Sequence, residues 1–87
     1  MWELQLHAPA QRSIAALPVE FQELIYDQVD VVLLDPFQHT VASTDTTRIV
    51  HVPLLYRGTF RVAQLWFDPD LRTGTLHLYD VVERPHF

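Results

Sequence analysis

The sequence predicts an α+β domain: an N-terminal strand and an αα-hairpin precede a three-stranded antiparallel meander, with the helices on one face of the sheet. Three observations predict it. Trp2 to His7 alternates apolar and polar residues, the period of a strand with one buried face. Val19 to Leu34 carries Phe21, Leu24, Ile25, Val29, Val32 and Leu33 at helical spacing. Arg48 to Phe67, RIVHVPLLYRGTFRVAQLWF, reads as two β-arms folded back at Arg57-Gly58-Thr59-Phe60.

The elements follow in order. After the first strand, Ala8-Pro9 opens a short helix, because proline suits the first helical turn; Ala10, Ile14 and Leu17 fall on one side of it. Pro18 breaks that helix and opens the next. Glu20 and Glu23 lie near its positive end, where negative charge is favoured. Asp35-Pro36 ends it, since the residue before a proline avoids helical angles. Phe37 to Thr47 is polar, Ser/Thr-rich and without period, and is predicted to be a loop.

In the hairpin, glycine at the first central position predicts a type II′ turn over Gly58-Thr59. That sets Tyr56 opposite Arg61 and places Arg61 on the face of Leu54, Tyr56 and Ala63. Pro53 lacks a ladder donor, so the first arm is expected to be an edge strand or to carry a bulge. Asp68 to Gly74 is a turn-rich loop, and Thr75 to Val82 is the last strand. With Leu78, Asp80, Val82 and Arg84 at one parity, Asp80 and Arg84 share a face. One domain, 1–87, without internal repeats accounts for the whole chain.

Composition narrows the function classes. No cysteine is present, which excludes disulfides and thiolate metal sites and fits a reducing cytoplasm. The five histidines show no H-x-H or H-E-x-x-H spacing, so no metal site and no cofactor are expected. The longest aliphatic run, Val31 to Leu34, is far short of a membrane span, and the Met1-Trp2-Glu3 start lacks the basic residues of a secretory signal. Charge is the awkward fact. The cations are all arginine, and the net charge is −5. Phosphate neutralisation supplies most nucleic-acid affinity, so any polyanion must be met by a local cluster of cations. Arg61, set in a mostly apolar arm, raises the same question: its charge needs a carboxylate or a phosphate.

Several short motifs stand along this framework. Pro9-Ala10-Gln11-Arg12 is followed by Leu17-Pro18, then by Leu34-Asp35-Pro36. Tyr56-Arg57-Gly58-Thr59-Phe60-Arg61-Val62 occupies the hairpin, and Val82-Glu83-Arg84-Pro85-His86-Phe87 closes the chain. In this order and spacing they resemble the RelE/ParE superfamily of bacterial toxin–antitoxin systems, nearest to the RelE/YoeB-like mRNA interferases. The resemblance implies a ribosome-associated endoribonuclease that cuts mRNA without a metal and is neutralised by an antitoxin. It places a functional arginine at Arg61, a catalytic histidine at His86 and an RNA-contacting aromatic at Phe87. The chain departs from the pattern in having no lysine and in ending on a phenylalanine, which stacks but donates no proton.

RNA cleavage needs a base for the 2′-OH, cations for the phosphorane and an acid for the leaving 5′-oxygen. Arg61 and Arg84 have forked guanidinium groups suited to phosphate oxygens, and His86 titrates near neutrality and suits the acid. His51 is the histidine in the hairpin available as base, with Glu83 behind it. Arg57 at the turn, and Tyr56 and Phe87 as stacking surfaces, suit RNA binding. Each has a plainer account: Arg61 pairing with Asp80, His86 idle at a chain end, His51 an ordinary edge-strand residue, Arg57 solvated, and Tyr56, Phe60, Trp66 and Phe67 core aromatics. The sequence therefore carries three readings: the RNA-cleaving toxin, a catalytically inactive interaction module of the same fold, and a gyrase-directed ParE-like toxin, against which the terminal histidine argues. Unpaired strand edges also predict a partner, either the antitoxin or a second copy in a homodimer.

Overall fold

A computed structural model describes residues 2–84. The chain runs β1 (Glu3–Leu6), α1 (Ala8–Ala15), α2 (Val19–Leu34), β2 (Val41–Ala42), β3 (Arg48–Tyr56), β4 (Thr59–Asp70) and β5 (Thr75–Arg84). The five strands form one mixed sheet in the order β1-β5-β4-β3-β2. β3, β4 and β5 are the predicted antiparallel meander, and β1 joins it parallel to β5.

The helices form where local chemistry directs. Pro9 sits in the first turn of α1. Pro18 is the N-cap of α2, and its carbonyl accepts from the amides of Phe21 and Gln22, both at 3.0 Å. The Gln22 side chain donates back to the Leu17 carbonyl at 2.8 Å, in the connection between α1 and α2. At the far end of α2, Asp35 is extended and its carboxylate accepts from the amides of Phe37 and Gln38, each at 3.2 Å.

One face of the sheet is covered. Ala10 and Ile14 of α1, with Phe21, Ile25, Val29 and Val32 of α2, pack on Val52, Ala63, Leu65, Phe67, Leu76, Leu78 and Val81. Leu24, which the helical spacing placed on the core face, lies on the solvent side. Among the described residues no helix covers the opposite face of the sheet. Leu55 (67% exposed), Phe60 (42%) and the half-buried Val62, Trp66 and Val82 lie there, by strand alternation.

Four boundaries differ from the sequence prediction. The segment from Phe37 to Thr47 contains the two-residue strand β2, paired with Arg48 and Ile49. β4 continues through Asp68 and Pro69 to Asp70, because an outer stretch of β5 is there to pair with it. β5 runs to Arg84 rather than stopping at Val82. The hairpin turn is Arg57-Gly58, not Gly58-Thr59: Tyr56 pairs with Thr59, Leu55 with Phe60 and Leu54 with Arg61. Both loop residues have positive φ, 50° at Arg57 and 77° at Gly58, the signature of a type I′ turn. Moving the loop by one residue shifts the pairing sum by two, so every side chain keeps its predicted face. β3 beyond Ile49 is an edge and shows no register shift against β4, so Pro53 sits at an edge without a bulge.

A bulge lies instead in β5. Phe67 pairs with Leu78 and Trp66 with Asp80, leaving Tyr79 as an extra residue. The parity of β5 inverts there. Val81 and Glu83, rather than Asp80 and Arg84, continue the helix-covered face begun by Leu76 and Leu78. The alternation read from the sequence had no means of registering this extra residue.

Candidate functional site

The bulge brings two charges together. Arg61 stands on the helix-covered face at the hairpin end of β4, and Glu83 stands on the same face of β5 beside Ala63. The Arg61 guanidinium donates through Nε to Glu83 Oε2 and through Nη2 to Glu83 Oε1, both at 2.7 Å. This two-pronged pair replaces the predicted partnership with Asp80, whose carboxylate accepts from the Val81 amide at 2.8 Å. The hydrogen bond from Arg61 holds the Glu83 carboxyl below its ordinary value, against a smaller opposing effect of desolvation. The same bond raises the Arg61 guanidinium.

Aromatic rings fix the guanidinium from the side. Arg61 lies 5.7 Å from the ring centre of Phe21, in α2, and 5.9 Å from that of Tyr56. Arg57 lies 5.2 Å from the Tyr56 ring, so Tyr56 is shared between two arginines. Of the aromatics expected in the core, only Phe67 is fully buried; Tyr56 and Trp66 are half-buried and Phe60 is exposed.

Around this pair is an open hollow of about 930 Å³ lined by Tyr56, Arg57, Gly58, Thr59, Phe60, Arg61, Glu83 and Arg84. Three of the six arginines of the chain thus meet at one end of the sheet, against a single carboxylate among the described residues. This is a local cationic cluster in a chain of net charge −5.

Within the hollow the arginines do not all point one way. Arg84 pairs across the strands with Val62, so its side chain leaves the sheet on the face opposite Arg61. There Arg84 Nε donates to Gln64 Oε1 at 3.0 Å, and the Gln64 amide nitrogen lies 3.1 Å from His51 Nε2. The Gln64 amide nitrogen can only donate, so this contact is a hydrogen bond in the tautomer that leaves His51 Nε2 free to accept. His51 and Arg84 are therefore joined through Gln64, a residue that belongs to none of the sequence motifs. His86 and Phe87 lie outside the described residues.

A fourth arginine is structural. Arg48 donates to Thr40 Oγ1 at 2.7 Å, to the Thr40 carbonyl at 3.0 Å and to the Phe37 carbonyl at 3.1 Å, and stacks 5.2 Å from the Phe37 ring. It ties the segment after α2 to the start of β3. On the uncovered face, His7 Nε2 and His77 Nδ1 are 2.9 Å apart, and both rings lie against Tyr79. Among the described residues no group of three or more His, Cys, Asp or Glu side chains is placed to hold a metal ion.

No protein-family model and no curated protein matches the sequence. Solved structures do match. A chain of the crystal structure of the intact E. coli RelBE toxin–antitoxin complex superposes with a TM-score of 0.76 at 11% identity, over 99% of this chain and 100% of that one. The fold is RelE-like. A second match, to the archaeal RelE–RelB complex from Pyrococcus horikoshii OT3, has a TM-score of 0.67 at 8% identity and covers 99% of this chain and 98% of that chain. At these identities the likeness is one of fold, so the chemistry of this RelE-like domain rests on its own side chains. Among the described residues no helix is long and apolar enough to cross a membrane.

Proposed function

We propose that this RelE-like chain is the toxin-type member of a toxin–antitoxin pair and that it acts on RNA, cutting mRNA on the ribosome in the cytoplasm. The observation that carries the RNA reading is the hollow at the hairpin end. Arg57, Arg61 and Arg84 gather there beside Tyr56 and Phe60, which supply faces for unpaired bases. A polyanion-binding site on an acidic protein has to be such a local cluster. The antitoxin partner is supported by the solved structures that share the fold, one a RelBE toxin–antitoxin complex and the other a RelE–RelB complex.

In this reading Arg84, on the face of His51, holds the phosphorane charge, Arg57 and Arg61 hold neighbouring phosphates, and His86 protonates the leaving 5′-oxygen. His51 takes the 2′-OH proton once Gln64 turns away from Nε2. The antitoxin lies across the uncovered face of the sheet, where Leu55 and Phe60 are exposed.

One observation favours a second reading. Arg61 already has a carboxylate, and an arginine so satisfied suits a non-catalytic interaction module equally well. Regulated expression in a bacterial host separates the two. Growth arrest with mRNA cleavage, lost in Arg61→Ala and in His86→Ala, supports the nuclease. Full growth with soluble, folded protein selects the interaction module. Double-strand breaks in DNA with intact mRNA would point instead to a gyrase-directed toxin.

A further inference from the structure

We infer that Glu83 occupies the phosphate position on Arg61 and is displaced from it by RNA, making it the residue that selects a polyanion over a single small anion. The inference rests on the RNA reading above. Glu83 presents two oxygens to Nε and Nη2 side by side, both at 2.7 Å, which is the pattern that the two non-bridging oxygens of a phosphodiester present to an arginine fork. Phe21 and Tyr56 hold the guanidinium from the side, so it keeps its place whichever anion it meets. Glu83 is held less firmly. Its side chain is 38% exposed against 24% for Arg61, and the described hydrogen bonds of its carboxylate all go to Arg61.

Competition then sets selectivity. The carboxylate is tethered, so its effective concentration at Arg61 is high and a lone inorganic phosphate must compete with it. RNA brings further phosphates for Arg57 and Arg84 and bases for Tyr56, none of which a single carboxylate can match. Displacement follows only when several contacts form together.

The test is a double-mutant cycle on binding of an uncleavable, fluorescently labelled 2′-O-methyl RNA oligonucleotide. Wild type, Glu83→Gln, Arg61→Ala and the double variant are compared, with thermal melts verifying that each is folded. Removing the tethered competitor should tighten binding up to about fivefold in Glu83→Gln, the range expected of an exposed ion pair. That gain should vanish when Arg61 is alanine. A gain of equal size in the Arg61→Ala background would mean that Glu83 acts only as a distant negative charge, and would overturn the inference. Binding by Glu83→Gln equal to or weaker than wild type, with Arg61→Ala still weakened, would also overturn it while leaving the RNA site intact. No RNA binding by any of the four folded proteins would overturn both.

Discussion

The hairpin turn supplies the most discriminating test of the structure. In a type I′ loop both Arg57 and Gly58 hold left-handed backbone, and the structure places them at φ 50° and 77°. An L-residue with a Cβ pays roughly 1–2 kcal/mol there, while Asn tolerates the region better than other non-glycine residues. A Cβ added at Gly58 meets nothing within 4 Å, so Gly58→Ala carries only this backbone cost. It should destabilise by about 1–2 kcal/mol, with Tm falling roughly 4–8 °C per kcal/mol for a domain of this size. Arg57→Asn should move the other way, recovering about 0.5–1 kcal/mol, because it replaces a strained residue by one suited to type I′ loops. The assay is a thermal melt or urea titration of the two variants beside wild type. The signs decide the matter. Were the turn Gly58-Thr59, Arg57 would be an ordinary strand residue and Asn there would destabilise. Destabilisation by Arg57→Asn would therefore refute the Arg57-Gly58 turn, whatever Gly58→Ala does. Because Arg57 also lines the cationic hollow, the stabilised variant should bind RNA more weakly, the signature of strain retained for function.

Further outcomes follow from other parts of the molecule. Phe67→Ala empties a fully buried site between helices and sheet and should cost about 3–5 kcal/mol, read from denaturant unfolding. Thr40→Val leaves Arg48 Nε and the Pro36 carbonyl without their hydroxyl partner and should cost about 1–3 kcal/mol, while an exposed control such as Thr73→Val changes little. The Arg61–Glu83 pair gives a pH signature. Glu83 has a folded pKa lowered by Arg61, so its contribution is present above the ordinary carboxylate range and is lost as pH falls through the lowered folded value. Wild type should accordingly be more stable than Glu83→Gln at neutral pH and lose that advantage on acidification, as measured by urea melts across the acid range.

The fold was legible because its signals are long and redundant. Alternation in β1, helical spacing in α2 and the apolar arms of the hairpin each predicted the element that forms. Faces were also legible: the loop moved by one residue, yet Arg61 kept the face of Leu54, Tyr56 and Ala63 because the pairing shifted by two. The partner of Arg61 was not legible. It depends on the extra residue at Tyr79, and a bulge leaves no mark on a stretch of alternating residues such as Leu76 to Val82. The same single-residue insertion sends Arg84 to the face of His51 and Gln64, so the two arginines read together as phosphate ligands leave opposite faces of the sheet beside one hollow. Thr40 and Arg48 were missed for a different reason. Their contacts join the end of one segment to the start of another, and no periodicity encodes such a link.

The central claim is that Arg57, Arg61 and Arg84 together form an RNA-phosphate site, and the salt dependence of single-stranded RNA binding tests it most directly. Three phosphate contacts predict a slope of log K against log salt of about −2, falling in magnitude by about 0.7 for each arginine replaced by alanine. Binding whose slope does not change when the three are replaced, or the absence of salt-dependent binding by the folded wild-type protein, would contradict it.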